Sequence, residues 1–248
     1  EGEGSVAASP LVYHQKGSST AGLPKSGYSL SLETVSGKKQ NLSLLGMRSD
    51  NSWKLNALYT DPTRVREMTA TQIWQKIDAA DSEVSAPGCD MRYIEVILDN
   101  SYQGLYALVE PIDADKLSLD QNDVLYKVLD WSPPGTDEIQ DSINHNWKVR
   151  FPVRIRYPKN ITDYAAAWYP MQDYVNWVYE TAWPDYDEVS AKISLENLCD
   201  LTIYTMVTSA SDNTFKNTYY AARVADDGSY VMYQLPWDMD LTFGNRYY

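Results

Sequence analysis

Residues Ser211 to Gly244 read SDNTFKNTYYAARVADDGSYVMYQLPWDMDLTFG, and the rest of the chain is organised around them. Asp212 and Asn217 open the stretch with four residues between them, and Asp238 and Asp240 stand near its end. Thr218 to Val224 and Tyr230 to Leu235 are rich in aromatic and β-branched residues, the side chains that fill a pleated surface. Between them lies ADDGS, whose Asp227-Gly228 pair is a strong hairpin-turn signal. A hairpin returns the chain to where it began, so Asp238 or Asp240 comes close to Asp212 and Asn217. Oxygen-bearing side chains gathered at one end of a hairpin suit a hard cation such as magnesium. Asp and Asn are also ordinary turn residues, so spacing alone leaves a plain loop open.

The composition narrows the field. A chain of 248 residues makes one large domain or two intimate lobes with a substantial core. A net charge of -13 excludes a nucleic-acid partner unless a local basic patch overrides it. The 8 Trp and 20 Tyr far outnumber the 3 Phe, a bias that fits surfaces both wet and adhesive. No apolar run approaches the roughly 18 residues of a membrane span. The chain opens EGEGS without Met, as a processed or trimmed protein would. Cys89 and Cys199 either pair in an oxidising compartment or remain buried free thiols.

In chain order, Leu11 to Gln15 reads as a short strand, followed by KGSSTAGLPKSG from Lys16 to Gly27. Glycine, consecutive hydroxyls and a lysine at each end are the ingredients of a phosphate cradle, and equally of a surface hairpin loop. Tyr28 to Glu33 alternates as a half-buried strand should. Asp61 followed by Pro62 predicts a helix to about Ile77, with Val65, Met68, Thr69, Ile73, Trp74 and Ile77 inward and Arg64, Arg66 and Glu67 solvated. Arg92 to Leu98 and Gln103 to Pro111 form a second predicted hairpin about Asp99-Asn100-Ser101. Leu125 to Val128 and Phe151 to Tyr157 read as extended segments, and Trp131 to Trp147 as loop. Thr162 or Asp163 caps a long helix through Glu180, bent near Pro170, and Ser194 caps another that delivers the chain to Asp212.

Taken together, the chain resembles the CotH kinase family, named for a spore-coat protein. The resemblance is carried by KGSSTAGLPKSGYSLSL (Lys16 to Leu32), LLGMRSDNSWKLNALYTDPTRVRE (Leu44 to Glu67) and NSYQGLYALVEPI (Asn100 to Ile112). It continues through RYP (Arg156 to Pro158), DNTFKN (Asp212 to Asn217) and PWDMDLTFG (Pro236 to Gly244). Protein kinases use the same order of parts: a catalytic Asp, an Asn five positions on, a hairpin, then a metal-binding Asp. The resemblance implies an α+β, atypical protein-kinase-like bilobal fold with antiparallel hairpins in both lobes. A strand-rich smaller lobe would cover residues 1–110 and a helix-rich larger lobe residues 111–248.

Mapped residue by residue, the resemblance implies Asp212 as catalytic base or hydroxyl-orienting acid. Asn217, Asp238 and Asp240 would bind Mg2+ or Mn2+. Lys25, Ser18, Ser19 and Glu110 would hold ATP, with Lys127 as the second candidate for the phosphate-facing lysine. The nucleotide would lie between the lobes near the Glu110 to Asp113 crossing, with Tyr102, Tyr106 and Trp237 as aromatic walls or as core. The substrate would be a secreted, surface or spore-coat protein. The pattern departs from ordinary kinases in three ways: Ala-Ser precedes Asp212, WDMD replaces Asp-Phe-Gly, and no G-x-G-x-x-G loop occurs. Family members usually continue with helices beyond the position of Tyr248, so a truncated C-terminal lobe is expected. Two other classes stay open, a coat or adhesin-like binding protein on the same fold and a carbohydrate-active protein using paired acids. Only His14 and His145, and no H-E-x-x-H or G-x-S-x-G, argue against a zinc or serine hydrolase.

Overall fold

The structure, a computed structural model, describes residues 6–17, 20, 22–81, 85–131, 152–214 and 216–246. It divides into two units, Glu1–Met68 with Cys89–Ile112 and Thr69–Gly88 with Asp113–Tyr248. Residues 69–88 group with the second unit rather than with the segments that flank them.

The first unit is built on alternation. Strands β1 (Leu11–Lys16), β2 (Gly27–Leu32), β5 (Ser52–Asn56), β6 (Met91–Leu98) and β7 (Ser101–Val109) form an antiparallel sheet in the order β1-β2-β5-β7-β6. A two-residue ribbon, β3 (Leu42–Ser43) with β4 (Ser49–Asp50), lies before β5. The β6–β7 turn is tight because Asp99 and Asn100 both take left-handed backbone, φ +49° and +61°. Gly104, at φ +85°, sits where the β6–β7 register shifts, a position that a side chain would strain. Leu32, Met47, Trp53, Leu55, Tyr106 and Leu108 make the core, and the Trp53 indole satisfies itself on Asp50 O at 3.1 Å.

Helix α1 (Arg66–Asp81) starts four residues beyond Pro62, the first helical position that the sequence predicts. Arg64 is left-handed at φ +61°, so 61–64 forms a turn, closed by Arg64 N on Asp61 O at 3.0 Å. Asp61 still caps the helix from a distance, its Oδ2 accepting from Arg66 N at 2.9 Å. The inward stripe is also rotated: Val65 is 51 % exposed, whereas Glu67, Ala70, Thr71, Trp74 and Asp78 are buried. Two of those are acids, so hydrophobic periodicity missed the face. Each acid has partners, Glu67 the Asn56 amide at 2.7 Å and Asp78 both Ala86 N and Ser85 Oγ.

In the second unit, β8 (Val124–Val128), β9 (Val153–Tyr157), β10 (Thr218–Val224) and β11 (Tyr230–Pro236) form an antiparallel sheet ordered β11-β10-β8-β9. Helix α2 (Tyr164–Glu180), capped by Asp163, lays Trp168, Met171 and Val175 against Tyr126, Tyr220 and Met232 of that sheet. The Tyr126 hydroxyl is fully buried and donates to Ala167 O at 2.6 Å. The short helix α3 (Tyr186–Ser190) leads to α4 (Leu195–Thr208), capped by Ser194 as expected. Tyr204 on α4 packs edge-to-face with Trp74 and donates to Ala70 O, which joins the later turns of α1 to α4. Neither cysteine is in a disulfide; Cys89 is buried and Cys199 exposed.

Asn197 clasps α4 to β11. Its Nδ2 donates to Gln234 O at 3.1 Å, and its Oδ1 accepts from Gln234 N at 2.6 Å. Asn197→Ala breaks both bonds and strands two backbone groups, so urea unfolding should show a loss of about 2 kcal/mol. A change under about 0.5 kcal/mol, the range of an indifferent surface substitution, would remove the clasp from the account.

Candidate functional site: a buried aspartate at the end of α4

Helix α4 ends in a left-handed residue, Ser209 at φ +52°, and Ala210 N closes the cap on Thr205 O at 3.0 Å. That turn drops the chain into Asp212, which is 4 % exposed. Its Oδ2 accepts from Asn217 Nδ2 at 2.7 Å, and Lys216 Nζ lies 3.6 Å from the same oxygen. Lys216 also stands over the Trp131 ring at 5.8 Å.

The hairpin then returns as predicted. β10 pairs with β11 from Thr218↔Pro236 to Val224↔Tyr230 about the Asp227-Gly228 turn. Beyond the last rung, Trp237 N donates to Asn217 O at 2.9 Å. Asn217 therefore leaves the hairpin opposite Trp237, and Asp238 follows one residue further on. Asn217 and Asp238 both adopt left-handed backbone, φ +56° and +61°, a conformation Asn and Asp tolerate better than other side chains. Asn217 is buried and Asp238 exposed.

The Asp212 carboxyl is held above its ordinary pKa. Burial is the largest cause and the negative charge of Asp238 adds to it, while Lys216 and the Asn217 hydrogen bond oppose them. The acid whose charge acts on Asp212 is thus Asp238, from the far end of the hairpin. Asp240 is half-buried on the same segment, and its backbone carbonyl accepts from Asn245 Nδ2 at 2.8 Å.

The donor set fits a hard cation. Nδ2 of Asn217 is engaged by Asp212, which leaves the amide oxygen as its remaining acceptor, and Asp238 presents a carboxylate to solvent. Among the described residues no three His, Cys, Asp or Glu gather around a metal position. A cation here would therefore rest on acid and amide oxygens, completed by water or phosphate, the habit of magnesium rather than zinc.

The other sequence candidates fall as follows. Lys25 donates to Leu105 O and stands over the Tyr106 ring at 4.1 Å; burial, then Arg64, lowers its pKa. Ser18 and Ser19 lie outside the described residues, as do 132–151 of the predicted loop and edge. Glu110 is 1 % exposed, ion-paired with Arg48, and its N–H donates to Asp90 O at 2.8 Å. Lys127 sits over Trp237 at 4.9 Å and Tyr219 at 5.2 Å, the two rings packing edge-to-face. Of the aromatic candidates, Tyr106 belongs to the first unit's core, and Tyr102 is 63 % exposed with its hydroxyl on Glu95 at 2.6 Å. Sequence reasoning missed Lys216 and Asn213, although both lie inside DNTFKN. It also missed Glu67, which the Asn56 amide links to Lys16.

The family model for the CotH kinase protein matches residues 13–248. The chain belongs to the CotH kinase family. Its α+β architecture is accordingly kinase-like, and so is the protein. No curated protein matches the chain. No described helix is long and apolar enough to cross a membrane.

The raised pKa of Asp212 carries a sign. Its contribution to stability is greatest below the unfolded value and is lost as pH rises through the higher folded value. Asp212→Asn should therefore leave Tm at neutral pH unchanged or higher, not lower. By carboxyl-carbon NMR, Asp212 should titrate above the free-aspartate value of about 3.9. Asp238→Asn should move that midpoint down and Lys216→Met should move it up. A midpoint at or below the free value, or one indifferent to both changes, would contradict this electrostatic reading.

Proposed function

We propose that this protein transfers phosphate from ATP, bound with Mg2+ or Mn2+, to serine or threonine hydroxyls of secreted, surface or spore-coat proteins. The observation that supports this reading is the meeting of Asp212, Asn217 and Asp238 at one end of the β10–β11 hairpin. Asp212 is buried, charge-perturbed and held by an amide, as a group that orients a hydroxyl and takes its proton should be. As the new oxygen–phosphorus bond forms, the bond to ADP breaks and the hydroxyl proton passes to Asp212. Asn217 and Asp238 would hold the divalent cation, with Asp240 in support; when bound, it neutralises charge developing on the phosphate. Lys127 is the phosphate-facing lysine this reading favours, because it lies against Trp237, the residue before Asp238. Lys25 is the alternative lysine that the family resemblance implies.

Two variants separate binding from turnover. Asp238→Asn removes a charged hard ligand and should weaken metal-dependent ATP binding in calorimetry. Asp212→Asn should leave that binding nearly intact while phosphate transfer, followed with radiolabelled ATP, falls by about 10²-fold or more. Wild-type transfer by both folded variants would refute the assignment. A wild type that neither binds ATP nor transfers phosphate would favour the coat or adhesin-like binding protein instead.

A further inference from the structure

Asn213, next to Asp212, is 3 % exposed, and its Nδ2 donates to two backbone carbonyls, Trp237 O at 2.7 Å and Asn217 O at 3.1 Å. Carbonyl oxygens only accept, so the amide is locked with its nitrogen toward them. Its Oδ1 then faces away and is buried with no hydrogen-bond partner among the described residues. A buried polar atom left unsatisfied in this way calls for an explanation. The explanation lies in which carbonyls the nitrogen holds. One belongs to Asn217 itself, and the other to the peptide that leads into Asp238. Both of those residues stand in left-handed backbone. Such conformations persist only where the surroundings over-determine them.

We propose that Asn213 is the positioning residue of this site. Its amide ties the Asn217 turn to the Trp237–Asp238 peptide and so fixes the spacing of two oxygen ligands before any cation arrives. Trp237 N on Asn217 O makes the third bond of the same knot. Only the consequence for metal binding rests on the function proposed above; the tie itself is a property of the metal-free chain. Asn213 touches neither nucleotide nor metal in this account and acts through the two residues it holds.

The test pairs Asn213→Ala, which removes both donors, with Asn213→Ser, which keeps one hydroxyl donor. Hydrogen exchange of the metal-free protein is read over residues 212–218 and 236–241, with the β10 and β11 interiors as internal control. Manganese binding in the presence of ATP is followed by electron paramagnetic resonance. In Asn213→Ala both segments should exchange about tenfold faster or more, equivalent to about 1.4 kcal/mol, with the strand interiors unchanged. Manganese affinity should fall by a similar factor, and Asn213→Ser should lie between. Unchanged exchange in a folded Asn213→Ala overturns the proposal. Faster exchange with undiminished manganese affinity overturns it too, since the amide would then only stabilise the loop. If Asn213→Ala does not fold, the same two readouts on Asn213→Ser decide. If the wild type binds no manganese with ATP, the function proposed above fails and the exchange arm alone decides the tie.

Discussion

The candidate site depends on one pairing, β10 against β11 in the register that sets Thr218 opposite Pro236. Because that rung is the last, the residues just outside it, Asn217 and Trp237, are forced together and bond through Trp237 N–H and Asn217 O. The charged groups of the site are arranged around that junction. Asn217 turns its amide onto Asp212, and Asp238 brings a second negative charge up to it. A slip of one residue would turn the side chains of one strand to the opposite face and move Asp238 relative to Asn217. The Asp227-Gly228 turn and the Asn197 clasp on Gln234 both oppose such a slip, the first at the tip of the hairpin and the second near the far end of β11.

The site is also where the chain departs from its own stability preferences. Asn217 and Asp238 occupy left-handed backbone, Asp212 is a carboxylate in a buried place, and Asn213 carries an unsatisfied oxygen. Each of these costs on the order of 1 kcal/mol or more, and a protein selected only for stability would lose them. All four lie within one knot of loop, although left-handed backbone also occurs elsewhere, at Leu45, Leu58 and Arg64 among others. What sets this knot apart is that all four features meet around one buried carboxylate, as a functional site requires.

Much of this architecture was legible in the sequence because it is written in local chemistry. Alternating apolar residues and Asp-Gly or Asp-Asn turns marked both hairpins, and Asp163 and Ser194 marked two helix starts. Periodicity failed at α1, where the inward stripe holds Glu67, Thr71 and Asp78 and a left-handed Arg64 delays the first turn. Buried polar residues look solvated to any hydropathy rule, and only their long-range partners reveal otherwise. Within the site, the grouping of Asp212, Asn217 and Asp238 followed from hairpin closure. Asn213 and Lys216 did not, since their roles rest on which carbonyl or carboxylate each reaches.

The proposed function turns on a divalent-cation site formed by Asn217 and Asp238 beside Asp212. It is tested most directly by a crystal of the protein grown with Mn2+ and a non-hydrolysable ATP analogue, with the metal located by anomalous scattering. The account predicts a manganese peak at about 2.1 Å from the Asp238 carboxylate and from Asn217 Oδ1, with the terminal phosphate on its far side. Manganese and nucleotide bound elsewhere, with Asp238 and Asn217 coordinating nothing, would contradict it.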